Sequence, residues 1–256
     1  MDNGKIKVQL VVNGADKTLE VDTVLTAIGR DPDPTSFGAP NAGIEFDERS
    51  GKIKGRAGET ERTNVDHIYA VGDCVLGVPE LMPVAQKSGK LLAHRLQLRK
   101  SQAMAEDVIL GRYSTDYDCI PTTVFSPTEY SFVGLSEAEA TDKLGADNIE
   151  VYHREAIPLQ LALYKENTKV AYMKVITTRS QEGSDALKGA DERVLGIHYY
   201  GPAADEMIGG LAVAMKLGMT KRDLDFTIGV HPSTSEDLYN LEITKRSGAD
   251  FRKTDC

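Results

Sequence analysis

Cysteine is scarce in this 256-residue chain, and what there is builds no framework. Cys74, Cys119 and Cys256 are odd in number and widely separated, with no CxxC and no zinc-type spacing. A disulfide scaffold and a structural metal site are therefore excluded, and reduced thiols in a reducing compartment are expected. No apolar run approaches the ~18 residues of a membrane span. The opening "MDNGKIKVQL" has neither a signal-peptide apolar core nor an Arg-rich amphipathic start. Positive charge is also short, with 30 Lys and Arg against 39 Asp and Glu. The net charge of −9 argues against a general nucleic-acid binder and against a basic membrane-surface protein. Internal repeats and low-complexity tracts are missing too. What remains is ordinary globular material, 41% hydrophobic and 27% charged, long enough for one large domain or two smaller ones.

"IKVQLVVNGADKTLEVDTVLTAIG" reads as two alternating strands around an Asn13-Gly14 turn, followed by an apolar strand through Ile28. A Pro- and Gly-rich loop, "RDPDPTSFGAPNAG", comes next. "IYAV", Ile68 to Val71, reads as a short apolar strand ending in Gly72-Asp73. A helix is expected from Pro83, with Val84, Leu91, Leu92 and Leu96 at helical spacing. The texture changes near Tyr113. "PTTVF", "NIEVYHRE", "VAYMKVITT" and "VLGIHYYG" read as strands. "GLSEAEATDKLG" carries a capping box, Ser136 with Glu139, and a stop at Gly145. "AADEMIGGLAVAMKLG" places Met207, Ile208, Leu211 and Met215 on one helical face, with Gly218 at its end. "RSQEGSDALKGADER" reads as a polar loop. Strands with interspersed helices suggest an α+β domain from about Tyr113 onward.

Two stretches carry candidate chemistry. In "IYAVGDC" a strand ending in Gly72-Asp73 would present a carboxylate at its C-terminal edge, where α/β sheets collect ligands and hydroxyl-rich chains. The helix N-terminus at Met82-Pro83 would offer free N–H groups and a positive dipole end. On these residues alone, Gly-Asp as a plain turn is the favoured reading. "GVHPSTSEDLY" holds His231 and Glu236, an acid–base pair with no nucleophile, metal site or phosphate loop nearby. Ser233 and Glu236 also spell S-x-x-E, a capping box for the helix "EDLYNLEITKR". From sequence alone, capping is the favoured role of Glu236.

Taken in order, "TAIGRDPDP", "IYAVGDC", "ELMPVAQKSGKLLAHRL" and "GVHPSTSED" resemble the pyridine nucleotide-disulfide oxidoreductases. Within that family, "IPTTVFSPTEYSFVGLSEAEA", "NIEVYHREAIPL" and "TIGVHPSTSEDLYNLEITKRSG" look most like the large, animal-type thioredoxin reductases. The resemblance covers essentially the whole chain, which corresponds to the second half of such an enzyme. The family's Gly-rich dinucleotide fingerprints and its CxxxxC redox pair are not in it.

The resemblance implies a fold that is α/β plus α+β, a partial FAD/NAD(P)-binding segment followed by an interface domain. Residues 1–30 would end the NADPH-binding domain, 31–112 would be the returning segment of the FAD domain, and 113–256 the dimerisation domain. It implies FAD and NADPH as cofactors, a homodimer, and thioredoxin or a similar disulfide as substrate, with no nucleic acid and no membrane. His231 would be the catalytic acid–base, entering the partner subunit's site, and Glu236 the carboxylate that orients it. Asp73, with Gly72, would hold the ribityl hydroxyls, and Met82-Pro83 would face the flavin's pyrimidine end. Arg30 would lie near the nicotinamide–flavin junction. The family usually has Thr-Pro where this chain has Met82-Pro83, so a hydroxyl contact is lost while the main-chain N–H is kept.

The end of the chain is read as helix through Lys245 and Arg246, a stop at Gly248, then a mobile tail "ADFRKTDC". In animal-type thioredoxin reductases such a tail carries a Cys–selenocysteine pair. A chain ending on Cys256 is what reading the selenocysteine codon as a stop would leave. Cytoplasmic location is expected, with mitochondrial location as the alternative. The competing readings are a catalytically inactive dimerisation module, or a fragment of a glutathione or dihydrolipoamide reductase.

Overall fold

The computed structural model describes residues 4–56, 58–158, 171–180 and 189–252. The chain divides into two compact units, Met1–Thr115 and Asp116–Cys256.

The first unit opens with a hairpin. β1 (Ile6–Val12) and β2 (Ala15–Val21) pair antiparallel from Ile6↔Val21 to Val12↔Ala15. Asn13 and Gly14 both take positive φ, the turn conformation whose twist suits a two-residue hairpin. The apolar strand expected through Ile28 does not form. Leu25 and Ile28 are 87% and 90% exposed, and no strand pairs with them among the described residues. A strand is defined by the ladder it joins, so an apolar run without one stays irregular.

"IYAV" likewise shrinks to a bridge, Tyr69 opposite Arg62. Around it Ala39, Ile44, Ile53, Ala70, Val75 and Val78 are buried. The unit closes with helices α1 (Met82–Ser101) and α2 (Glu106–Tyr113). Pro83 sits in the first turn of α1, and Gln102 ends it in the left-handed conformation. The inward face of α1 is Val84, Ser88, Leu92 and Arg95; Leu96, expected inside, is exposed. Arg95 is fully buried; its Nε lies 3.4 Å from Glu59 Oε1 without a hydrogen bond, while its two terminal nitrogens are bonded. It donates to Glu61 Oε2 at 2.6 Å and to the Tyr113 carbonyl at 2.7 Å. Arg99, one turn on, lies between Glu59 and Glu106. These pairs tie α1 to the 59–61 loop and to the end of α2.

The second unit is a five-stranded antiparallel sheet of order β3-β4-β7-β6-β5 with helices on both faces. Its strands are β3 (Thr122–Val124), β4 (Tyr130–Gly134), β5 (Ile149–Ala156), β6 (Ala171–Thr178) and β7 (Val194–Tyr200). β4 was not anticipated. Helix α3 (Glu137–Leu144) begins at Ser136 with the expected reciprocal box, Ser136 and Glu139, and stops at Gly145. Helix α4 (Ala204–Lys216) buries Ile208, Leu211, Ala212 and Met215 on Val133, Met173, Val175, Ile197 and Tyr199. Ala140 of α3 packs with Ile149, Val151 and Ile176. Neighbouring strand residues point to opposite faces, so Val151 and Tyr152 belong to different clusters and the sheet is covered twice. Helix α5 (Lys221–Asp225) starts from a second capping box, Thr220 with Asp223.

The region after Ser233 departs from expectation. The helix expected through Arg246 is one turn, α6 (Glu236–Tyr239). Leu241 is fully buried, and the chain then straightens so that Thr244 bridges Tyr152 on the outer strand β5. Lys245–Ser247 form a 3-10 turn ended by Gly248. Pairing with an open sheet edge outweighs the helical pattern. The expected mobile tail is likewise docked as far as Arg252, which bridges Glu155. Cys256 and the centre of the "RSQEGSDALKGADER" loop lie outside the described residues. Among those described, no helix is long and apolar enough to cross a membrane.

Candidate functional site

α6 is short and firmly held. Leu238 is fully buried and Asp237 nearly so. Arg154 of β5 lies 3.5 Å from Asp237 and donates to the Asn240 carbonyl at 3.2 Å. This seating presents Glu236, the first residue of the helix, to the loop that precedes it. The loop leaves α5 through Phe226 and Thr227, and Ile228 and Val230 project outward from it. Gly229 then passes against α6 so closely that a Cβ on it would lie 2.6 Å from Glu236 Cβ. Only a residue without a side chain allows that approach.

The result is a direct contact between the two residues singled out in the sequence. His231 Nδ1 lies 3.1 and 3.2 Å from the two carboxylate oxygens of Glu236. The histidine side chain is 82% exposed, whereas that of Glu236 is 27% exposed. The carboxylate is half-shielded and the imidazole open. With Nδ1 donating to Glu236, the neutral ring carries its lone pair on Nε2. The capping-box reading of Glu236 does not hold. Ser235 is the residue flanking α6, it makes no side-chain cap, and the Ser233 hydroxyl bonds Ser235 Oγ at 2.7 Å instead.

The described cysteines offer no nucleophile for this pair. Cys119 packs against the main core of the second unit, and burial, helped by Asp116, pushes its thiol pKa up. Cys74 belongs to the first unit, where its Sγ lies 3.4 Å from the Val71 carbonyl. Its neighbour Asp73 is exposed on a 3-10 turn, Gly72–Cys74. Gly72 is buried with φ +73, and a Cβ there would meet the Ala85 side chain at 2.9 Å. The turn therefore sits directly on the first turns of α1. At that helix end Leu81 provides no side-chain cap, and Met82 is exposed. Arg30 is exposed in the stretch that follows the hairpin.

Residues 120–241 match the pyridine nucleotide-disulphide oxidoreductase dimerisation domain, and residues 1–89 match the pyridine nucleotide-disulphide oxidoreductase domain. The chain belongs to the pyridine nucleotide-disulphide oxidoreductase family. This family member is 42% identical over 245 residues to thioredoxin reductase SEP1 of Emiliania huxleyi, covering 93% of this chain and 45% of that protein. It is 41% identical over 235 residues to the mitochondrial thioredoxin reductase 2 of Drosophila melanogaster, covering 92% of this chain and 41% of that protein. The chain thus spans less than half the length of these relatives.

Within the oxidoreductase fold the sequence singled out His231, Glu236, Gly72, Asp73, Met82 and Pro83. The second unit brings the first two together, and the first unit groups the turn and the helix end. Gly229, Arg154 and Asp237 were missed. Gly229 stands two residues before His231, but its closeness to Glu236 is a property of the fold and has no local signature.

Proposed function

We propose that the chain is the C-terminal portion of an NADPH- and FAD-dependent thioredoxin-disulfide reductase. It supplies FAD contacts, a dimer interface and the His231–Glu236 acid–base pair. The observation that carries this reading is an exposed imidazole, oriented by a carboxylate on Nδ1, with no cysteine paired with it among the described residues. In this reading the nucleophile belongs to the partner subunit, and residues 1–30, 31–112 and 113–256 take the NADPH, FAD and interface roles.

A surface suited to such a partner is present. Gly209, Gly210 and Val213 lie on the outward face of α4, Leu217 is exposed just past its end, and Phe226, Ile228 and Val230 are strongly exposed. Exposed apolar side chains of this kind favour a protein partner over water.

In thiol–disulfide exchange the attacking thiol loses a proton, a new S–S bond forms as the substrate's S–S bond breaks, and the leaving sulfur needs a proton. Nε2 of His231 takes the first proton and returns it to the leaving thiolate. Glu236 keeps the tautomer and stabilises the imidazolium between the two transfers.

The first unit fits a flavin. Asp73 offers an exposed carboxylate to ribityl hydroxyls, Gly72 keeps the turn against α1, and the N–H of Met82 at the positive end of α1 suits an electron-rich ring. Bound FAD would pass electrons from NADPH to a dithiol, with Arg30 near the nicotinamide. Cys256 would belong to the terminal redox group. A reducing compartment, cytoplasm or mitochondrion, suits this chemistry.

The test is His231→Gln in the full-length protein. Turnover of a protein disulfide should fall by ~10²–10⁴-fold while flavin reduction by NADPH is unchanged. Glu236→Gln should give a smaller loss and an altered pH profile. Native turnover in His231→Gln would sink the proposal. The competing inactive dimerisation module predicts no flavin absorbance in the purified protein.

A further inference from the structure

α6 is a single turn of four residues, Glu236–Tyr239. A helix that short cannot hold itself, since nucleation costs more than so few hydrogen bonds return. Its position is set by what it touches. Leu238 is fully buried in the core that also holds Tyr152 and Leu241. One apolar anchor fixes the depth of the turn but leaves it free to roll about its axis.

Arg154 supplies the missing constraint. It stands on β5 two residues after Tyr152, so the two side chains share one side of the sheet. Its Nε lies 3.5 Å from an Asp237 oxygen, and a terminal nitrogen donates to the Asn240 carbonyl at 3.2 Å. Asp237 lies in the first half of the turn and Asn240 flanks its end. A planar fork with fixed donor directions holds two such points, where a single ammonium would hold one. The frame behind the fork is firm, because β5 pairs with β6 along all eight of its residues. Asn240 passes the constraint on, its side-chain amide donating to the Glu236 carbonyl at 3.0 Å. Glu236 is thus next to one held residue and bonded to the other. The direction of its carboxylate follows the roll of α6.

That direction decides where the imidazole proton sits. With the carboxylate 3.1 Å from Nδ1, the proton is held there and Nε2 is left open. In a free neutral imidazole the side-chain proton prefers Nε2, the atom that must accept one in thiol–disulfide exchange. We propose that Arg154 is a positioning residue for the acid–base pair: by fixing the roll of α6 through Asp237 and Asn240, it selects the His231 tautomer whose Nε2 can take a proton. This rests on the reading of His231 and Glu236 as that pair.

Arg154→Met and Arg154→Lys in the full-length protein, with histidine labelled with nitrogen-15, test this. His231→Gln identifies the His231 signals by their loss. At about pH 8.5, where an ordinary histidine is neutral, the native protein should show Nδ1 protonated. In Arg154→Met the two ring shifts should move toward those of free imidazole, with the proton mostly on Nε2. Protein-disulfide turnover should fall by about tenfold to 10²-fold, no further than in Glu236→Gln, while flavin reduction by NADPH stays native. Arg154→Lys keeps the charge but not the fork, and both readouts should fall between native and Arg154→Met. Should Arg154→Met melt below the assay temperature, combining it with Asp237→Asn removes both charges and should show the same change of tautomer. A native tautomer in folded Arg154→Met overturns the proposal even if turnover drops, because the loss is then one of stability alone. Native turnover with the tautomer changed overturns it too, and so does a native protein whose proton already sits on Nε2. A native protein that turns over no disulfide overturns the functional reading and leaves Arg154 to be decided by the ring shifts.

Discussion

Replacing Gly229 by alanine perturbs the acid–base pair without touching either of its members. A Cβ at 229 would lie 2.6 Å from Glu236 Cβ and 3.0 Å from its Cα, where ordinary contact begins at 3.4 Å. The backbone of Gly229 is not in the left-handed region, so alanine suits its conformation and the conflict is purely one of space. The deficit against Cβ is 3.4 minus 2.6, or 0.8 Å. α6 has no room to retreat, because Leu238 is fully buried and Arg154 holds both Asp237 and the Asn240 carbonyl. The loop with His231 therefore moves, and the 3.1 Å contact stretches to a length at which it is no longer a hydrogen bond. A displacement of about 1 Å at the reacting groups costs on the order of 10²-fold in rate. Overpacking adds about 1–3 kcal/mol of destabilisation. Turnover of a protein disulfide, measured beside a thermal melt, separates the two effects. Turnover within twofold of native, with the His231 pH dependence unchanged, would refute the reasoning.

Arg95→Met should destabilise the first unit by about 3–5 kcal/mol, read as a lower urea midpoint, since it strips the buried Glu61 of a cation. Adding Glu61→Gln should recover part of that loss, and simple additivity would count against direct coupling. Acid should weaken the second unit before most carboxylates titrate. Burial, above all, holds both His153 and His198 below the ordinary histidine range. Each folded-state pKa then lies below its unfolded value, so the unfolded chain binds more protons between the two. The stabilisation is complete above about pH 6.5 and is lost as pH falls through the folded values. Urea midpoints at pH 7.5 and 5 should differ, and His198→Gln should flatten the slope.

Local chemistry made much of the second unit legible in advance. Ser136 and Glu139 form a box that needs only four residues to specify, and α3 starts there. The stripe of Ile208, Leu211 and Met215 needs only helical spacing. What escaped depends on partners distant in sequence. Val24 to Ile28 look like a strand but find no ladder, while Tyr130–Gly134, given no element in advance, complete one. Residues 240–247 carry helical spacing, yet the open edge of β5 draws Ile243 and Thr244 straight. Ser233 and Glu236 match a capping pattern, but the helix begins two residues later, which frees the carboxylate for His231. Contact between His231 and Glu236 is a matter of one loop's path, and that path hinges on the missing side chain of Gly229.

The segment from Ile243 to Arg252, whose Ile243 and Phe251 carbonyls accept from the outer amides of His153 and Glu155, also bears on how the protein can be shortened or proteolysed. Cleavage after Arg252 leaves the outer amides of His153 and Glu155 bonded. Cleavage after Gly248 removes Phe251 and bares the Glu155 amide on a strand rich in Ile, Val and Tyr. An uncovered strand of that composition is a template for pairing with another chain. Two cuts only four residues apart should therefore part company in the centrifuge, the longer product staying dispersed and the shorter one self-associating.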